Sequence, residues 1–194
     1  MNIEYSDRST PLDYDEMEGL LLTHITTRAE LDRWEMDNIN QAYQWADRLK
    51  HRNLLDEDFI RLLHKKMFGN VWKWAGRFRK SDKNIGIPWV EIAVELKLLC
   101  DDATAWLEFS TYPPDEFAAR FHHRLVYIHP FANGNGRHAR LMADLILEKL
   151  FKTPPFTWGN ANLTKQGESR TAYIRALKAA DDHDLRLLMK FVRS

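Results

Sequence analysis

The residue types best suited to chemistry lie together in one segment, His129-Pro130-Phe131-Ala132-Asn133-Gly134-Asn135-Gly136-Arg137-His138-Ala139-Arg140. Glycines at 134 and 136 admit backbone angles and a closeness of approach that other residues do not. They stand where a helical pattern begins, so free N–H groups and the positive end of the helix dipole face that spot. Such a helix start is a ready phosphate site. Arg137 and Arg140 are three apart, on neighbouring positions of one helical face, where two guanidinium forks could hold a polyphosphate. His129 stands just before this anion site. With a reference pKa of about 6.5, an imidazole can take a proton from a hydroxyl close to neutral pH. Pro130 restricts the backbone there, and Phe131 is the expected anchor onto the core. A general base beside a phosphate cradle is the minimum apparatus for transfer to a hydroxyl, a reaction in which positioning and charge stabilisation do most of the work.

The elements that must position this segment read as helices almost throughout. Thr27-Arg28-Ala29-Glu30 is a capping-box sequence, followed at helical spacing by Leu31, Trp34, Ile39, Ala42, Tyr43, Ala46 and Leu49. Asp56 opens a second amphipathic segment with Phe59, Ile60, Leu62, Leu63 and Met67. From Val90 to Leu107, Ile92, Leu96, Leu99, Ala103 and Trp106 fall on one side. Pro114 or Asp115 starts the helix that carries Phe117, Phe121, Leu125 and Val126. A run from Arg137 to Leu150 follows the glycine loop, and Thr164–Ala180 and Asp184–Val192 read as the last two helices. Between Gly76 and Pro88, Phe78, Ile85 and Ile87 flank the polar Lys80-Ser81-Asp82-Lys83-Asn84, which predicts a short hairpin flap. The expectation is one all-α domain with a small inserted β-hairpin: an extension at residues 1–25, then a globular domain at 26–194 whose first helix spans 26–49.

Composition narrows the function classes. Hydrophobic residues make up 44% of the chain and aromatics 12%, with seven Trp, which is a globular rather than a disordered profile. Lys plus Arg and Asp plus Glu each total 28, so no overall basicity calls for nucleic acid or an anionic membrane. Cys100, the only cysteine, excludes an internal disulfide and suits a reducing compartment. The polar, acidic opening lacks the order of a signal peptide, and no apolar run is long enough to span a bilayer. The reading is a cytoplasmic protein with no membrane and no direct nucleic-acid contact. His122 and His123 are adjacent and project about 100° apart on a helix, which disfavours a shared metal.

The segment resembles the Fic/Doc family, whose motif is HxFx(D/E)GNGRxxR, at His129, Phe131, Gly134, Asn135, Gly136, Arg137 and Arg140. The late Arg170-x-x-Tyr173-x-x-Ala176-Leu177 pattern fits as well. Thr10-Pro11-Leu12-Asp13 and the Ile25–Leu31 stretch look similar to a bacterial subgroup called mobile mystery protein B. The resemblance implies a protein adenylyltransferase that moves AMP from ATP to a Ser, Thr or Tyr hydroxyl of a target protein, and it admits an antitoxin-like partner. It implies that His129 is the base, that the backbone from Gly134 to Gly136 holds phosphates and that Asn135 shapes the loop. Arg137 would meet the β-phosphate, Arg140 the γ-phosphate, Tyr173 the adenosine, and the flap with Ile85 and Ile87 the target segment. The family places Asp or Glu, which helps hold Mg²⁺, where this chain has Asn133. An amide offers oxygen without charge, so a weaker metal site, another donor substrate and lost activity all remain open. Removal of AMP, transfer of another phosphate-containing group, and nucleotide binding without turnover are the competing functions.

Thr26 to Glu30 also resembles the family's inhibitory motif, (S/T)xxxE(G/N), apart from Leu31 at the last position. That likeness pairs Glu30 with Arg140. A capping box with Thr27 claims the same carboxylate.

Overall fold

The structure, a computed structural model, describes residues 17–49, 53–160, 163 and 167–194. Helix α1 (Arg28–Asp47) begins at the expected capping box. Thr27 Oγ1 accepts the Glu30 N–H at 3.3 Å, and Glu30 Oε2 accepts the Thr27 N–H at 3.1 Å. Its buried face is Leu31, Glu35, Asn38, Ile39, Ala42 and Ala46, so two polar side chains lie on the inner stripe. Trp34 and Tyr43, expected on that stripe, are 44% and 42% exposed. Helix α2 (Glu57–Phe68) starts at Asp56, whose carboxylate accepts the Phe59 N–H at 2.6 Å. It packs Phe59, Ile60, Leu63, His64, Met67 and Phe68 into the core.

A 3₁₀ turn at Trp89–Glu91 leads into α3 (Ile92–Glu108), where Ile92, Leu96, Leu99 and Ala103 are buried as their spacing predicts and Trp106 is partly so. Helix α4 (Pro114–Ile128) has proline in its first turn. Helix α5 (Asn135–Leu145) continues as π-helix through Ile146–Phe151. Helices α6 (Glu168–Asp181) and α7 (Arg186–Val192) close the fold. Helix α4 touches α3, α5, α6 and α7, while α1 packs on α2 and α2 reaches α5. Phe117, Phe121 and Leu125 of α4 are essentially inaccessible, each contributing about 1.5–3 kcal/mol by burial. The loop joining α4 to α5 therefore springs from two helices anchored in the core. No described helix is long and apolar enough to cross a membrane.

The flap differs from expectation. Among the described residues the only extended pairings are isolated bridges, Leu20 with Trp72 and Phe78 with Phe131, and residues 79–88 form no hairpin. The cause is the guanidinium of Arg79, which is 4% exposed. It donates to the carbonyls of Ser81 (2.9 Å) and Ile87, so carbonyls that a ladder would use are spent on a side chain. Gly86 turns at φ 97°, and Pro88 has no N–H to offer. Thr10–Asp13 lie outside the described residues, as does most of the 1–25 extension; Thr164, the expected start of α6, also lies outside them.

Asn38 ties α1 to the end of α2: its Nδ2 donates to the Lys66 carbonyl at 2.8 Å, and its Oδ1 accepts the Asn70 N–H at 2.9 Å. Asn38→Ala leaves both backbone groups without partners, so denaturant unfolding is expected to register a loss of about 1–3 kcal/mol. A change below a few tenths would mean that water replaces both bonds.

Candidate active site

Helix α4 ends at His129, which is left-handed (φ 53°, ψ 58°), and its N–H closes on the Leu125 carbonyl at 3.2 Å. The turn sets the imidazole against its own helix, with Nδ1 3.3 Å from the Val126 carbonyl. A carbonyl only accepts, so Nδ1 carries the hydrogen and Nε2 keeps its lone pair. Burial, with help from the Arg79 and Lys83 charges, lowers the His129 pKa to about 4. The ring is neutral at pH 7, in the tautomer a base requires.

Arg79 fixes the backbone around it. Its Nε donates to the His129 carbonyl at 2.8 Å, and its own N–H reaches the Pro130 carbonyl at 2.9 Å. The same guanidinium gathers Ser81 and Ile87, so the flap and the histidine share one anchor. Gly86 passes so close that a Cβ there would sit 2.5 Å from the His129 Cβ. Of the two flap residues singled out in the sequence, Ile85 is 62% exposed and Ile87 packs partly against the core.

Beyond His129 the chain folds into a tight loop. The Asn135 amide closes it from both sides, accepting the Phe131 N–H at 2.9 Å and donating to the Phe131 carbonyl at 2.8 Å. Phe131 is fully buried, stacked on His64 at 3.7 Å between ring centroids. His64 is itself oriented: the Gly76 N–H donates to Nδ1 at 3.0 Å, which leaves the hydrogen on Nε2 to donate to the Asn133 carbonyl at 3.0 Å. Burial and the nearby His138 hold His64 well below its usual pKa, so it stays uncharged.

Gly134 caps α5 at φ 77°, and a Cβ there would meet the Phe68 ring at 2.6 Å. No side chain caps the first turn of α5, so backbone N–H groups open toward whatever binds there. The two arginines flank this helix start and diverge. Arg140 lies over Tyr173, 5.8 Å from the ring centroid, and brings Nη1 to 3.7 Å of the Gly136 Cβ position. Tyr173 is buried beneath it, its hydroxyl 2.9 Å from His122 Nε2. Arg137 turns the other way, to Glu35 on α1 at 2.5 Å and to the face of Phe68 at 4.8 Å.

Asn133 turns its amide oxygen inward, where it accepts the Gly134 N–H at 2.6 Å. With one lone pair engaged and no charge, this oxygen is a weaker ligand for a hard divalent cation than a carboxylate would be. Among the described residues no group of three His, Cys, Asp or Glu could hold a metal. Glu30 is likewise committed locally. Its Oε2 accepts from the Thr26 and Thr27 N–H groups at 3.0 and 3.1 Å, and these bonds lower its pKa.

Sequence reasoning missed Arg79, His64 and Glu35. Glu35 carried a readable signal, being four residues after Leu31 and four before Ile39 on a mostly apolar stripe. The roles of Arg79 and His64 depend on long-range partners that spacing does not reveal.

The Fic/DOC family profile matches residues 54–147, a span that contains the whole segment from His129 to Arg140. Similar curated proteins include "Protein adenylyltransferase Fic" of Drosophila erecta, 32% identical over 87% of this chain and 34% of its own length, and of Aedes aegypti, 27% identical over the same shares. The chain thus spans about a third of the length of the curated relatives it matches. Among solved structures, Fic-1 from C. elegans is 29% identical with a TM-score of 0.63, over 82% of this chain and 46% of that one. BepC from Bartonella tribocorum, with bound AMPPNP, shares the fold at a TM-score of 0.68 and 18% identity over 93% of this chain and 97% of that one. The loop that holds His129, the glycine-rich start of α5 and its two arginines lie within that matched span, and the chain carries a Fic/DOC family domain.

Proposed function

We propose that the chain is a protein adenylyltransferase that moves AMP from ATP to a hydroxyl of a target protein. The observation that carries this reading is the free Nε2 lone pair of a neutral His129 beside the uncapped first turn of α5. The relatives named as adenylyltransferases support the choice of donor. In the reaction, the target oxygen attacks the α-phosphorus of ATP while its proton passes to His129 Nε2. The bond from that phosphorus to the bridging oxygen breaks, and pyrophosphate leaves. The first-turn N–H groups, Arg137 and Arg140 meet the phosphate charge. Mg²⁺ would accompany the ATP phosphates and screen their charge, with the Asn133 amide oxygen as the loop's one contribution, and none of these roles passes through it. The flap around Ile85 presents the target segment above His129. The buried thiol of Cys100, pushed up to about 12 by burial, suits a reducing, cytoplasmic setting without depending on it.

With α-labelled ATP and cell lysate as the source of target, label is expected on protein. With γ-labelled ATP it is not. His129→Ala should lower transfer by about 10²–10⁴-fold and leave ATP binding in place. Label from the γ-position alone would identify a phosphoryl transferase, and label from neither would leave a nucleotide-binding module.

The base works in its neutral form, which persists as pH falls until about 4. The acid limb of kcat/KM for the free enzyme is therefore expected near pH 4, instead of near the ordinary histidine value. A limb at about 6.5 would mean that His129 is solvated during turnover.

The hydrogen bonds of Glu30 favour capping over restraint of Arg140. Glu30→Gly is expected to lower the melting temperature, through the lost cap, and to leave label transfer unchanged. A several-fold rise in transfer would give Glu30 the inhibitory role instead.

A further inference from the structure

Glu35 lies on the inner face of α1 and is 2% exposed. A carboxylate persists at that depth only where both oxygens are filled. Both are. Trp72 Nε1 donates to Oε1 at 2.6 Å, and Arg137 Nη1 donates to Oε2 at 2.5 Å. Arg137 is thus held on one side by the carboxylate and on its face by Phe68, while its side chain keeps 20% of its exposure. Glu35 takes one of the five N–H donors of the guanidinium. Glu35 also lies outside the span that the family profile matches, so the contact reaches the phosphate loop from a separate part of the chain.

The geometry points to Glu35 as a positioning residue for Arg137, setting the guanidinium beside the start of α5 so that its remaining donors meet a nucleotide phosphate. This rests on the nucleotide-binding reading proposed above. A long, unrestrained arginine must surrender its rotamer freedom each time it grips an anion, whereas one already ordered has surrendered it during folding. The opposite role would make Glu35 a rival that competes with phosphate for Arg137. Two features argue against it. The Trp72 indole pins the other carboxylate oxygen, so the group is not free to follow the arginine, and only a single donor is occupied.

The test uses the full chain and titration calorimetry with a non-hydrolysable ATP analogue and Mg²⁺, on wild type, Glu35→Gln, Arg137→Gln and the double variant. Gln at 35 still accepts from Trp72 and removes only the charge that faces Arg137. Glu35→Gln is expected to weaken analogue binding about tenfold, with a melting temperature close to wild type. In steady state the KM for ATP should rise while kcat changes little. In the Arg137→Gln background the same substitution should have no further effect on affinity. Should Glu35→Gln fail to fold, Glu35→Asp keeps the charge, shortens the reach and is expected to give the same loss. Tighter binding by Glu35→Gln would make the carboxylate a rival of phosphate and overturn positioning. Unchanged binding, or a loss that adds to that of Arg137→Gln, would also overturn it. A wild type that does not bind the analogue would instead overturn the nucleotide-binding reading, and this inference with it.

Discussion

A single primary amide governs the geometry on which the rest of the site depends. Between the end of α4 at Ile128 and the start of α5 at Asn135, the chain reverses through left-handed residues at His129 and Gly134. Such a path is not one a backbone holds unaided. Asn135 holds it by giving one hydrogen bond to Phe131 and taking one from it, which turns residues 131–135 into a closed ring. Once that ring is fixed, the imidazole before it and the open N–H groups after it have only one relative placement. The helices behind the loop supply the rigidity: α4 and α5 both bury an apolar face in the core, and Phe131 is fully enclosed.

The histidines packed around the loop are kept uncharged by burial. His64, His122 and His138 are all wholly enclosed, and burial pushes each toward neutrality, His122 and His138 to about 3. Neutral imidazoles can donate one hydrogen and accept another, which suits positions where backbone groups must be satisfied without adding charge. His64 shows the logic most plainly, because Gly76 fixes its tautomer and the opposite nitrogen then steadies Asn133. Positive charge at the site comes from Arg79 beneath the histidine and from Arg137 and Arg140 on either side of the helix start.

Much of this was legible in the sequence, and for identifiable reasons. The periods of α2, α3 and α4, the Asp56 and Thr27 caps and the glycine-rich start of α5 are local signals, and each element stands where they put it. The flap was read as a hairpin because alternating apolar residues around a polar turn imply one. The reading failed because Arg79, a residue no periodicity marks, captures the carbonyls that strand pairing would have used. Helical spacing puts Trp34 and Tyr43 on the inner face of α1, whereas the face closes around Glu35 and Asn38. Polar residues with long-range partners can outcompete aromatics for a buried stripe, and sequence spacing does not name those partners.

The close pass of Gly86 over His129 has a mechanical implication. One guanidinium clasps the histidine carbonyl and the flap carbonyls alike, and the glycine leaves no gap between them. The surface on which a polypeptide would lie and the atom that would receive its proton therefore share one anchor. Tolerance for a misaligned guest cannot come from a shift of the flap alone, because displacing it would drag the imidazole out of register. Selectivity and reactivity are in this sense geared together, and a chain seeking new guests would have to vary the exposed crest around Ile85 while sparing the clasp beneath it.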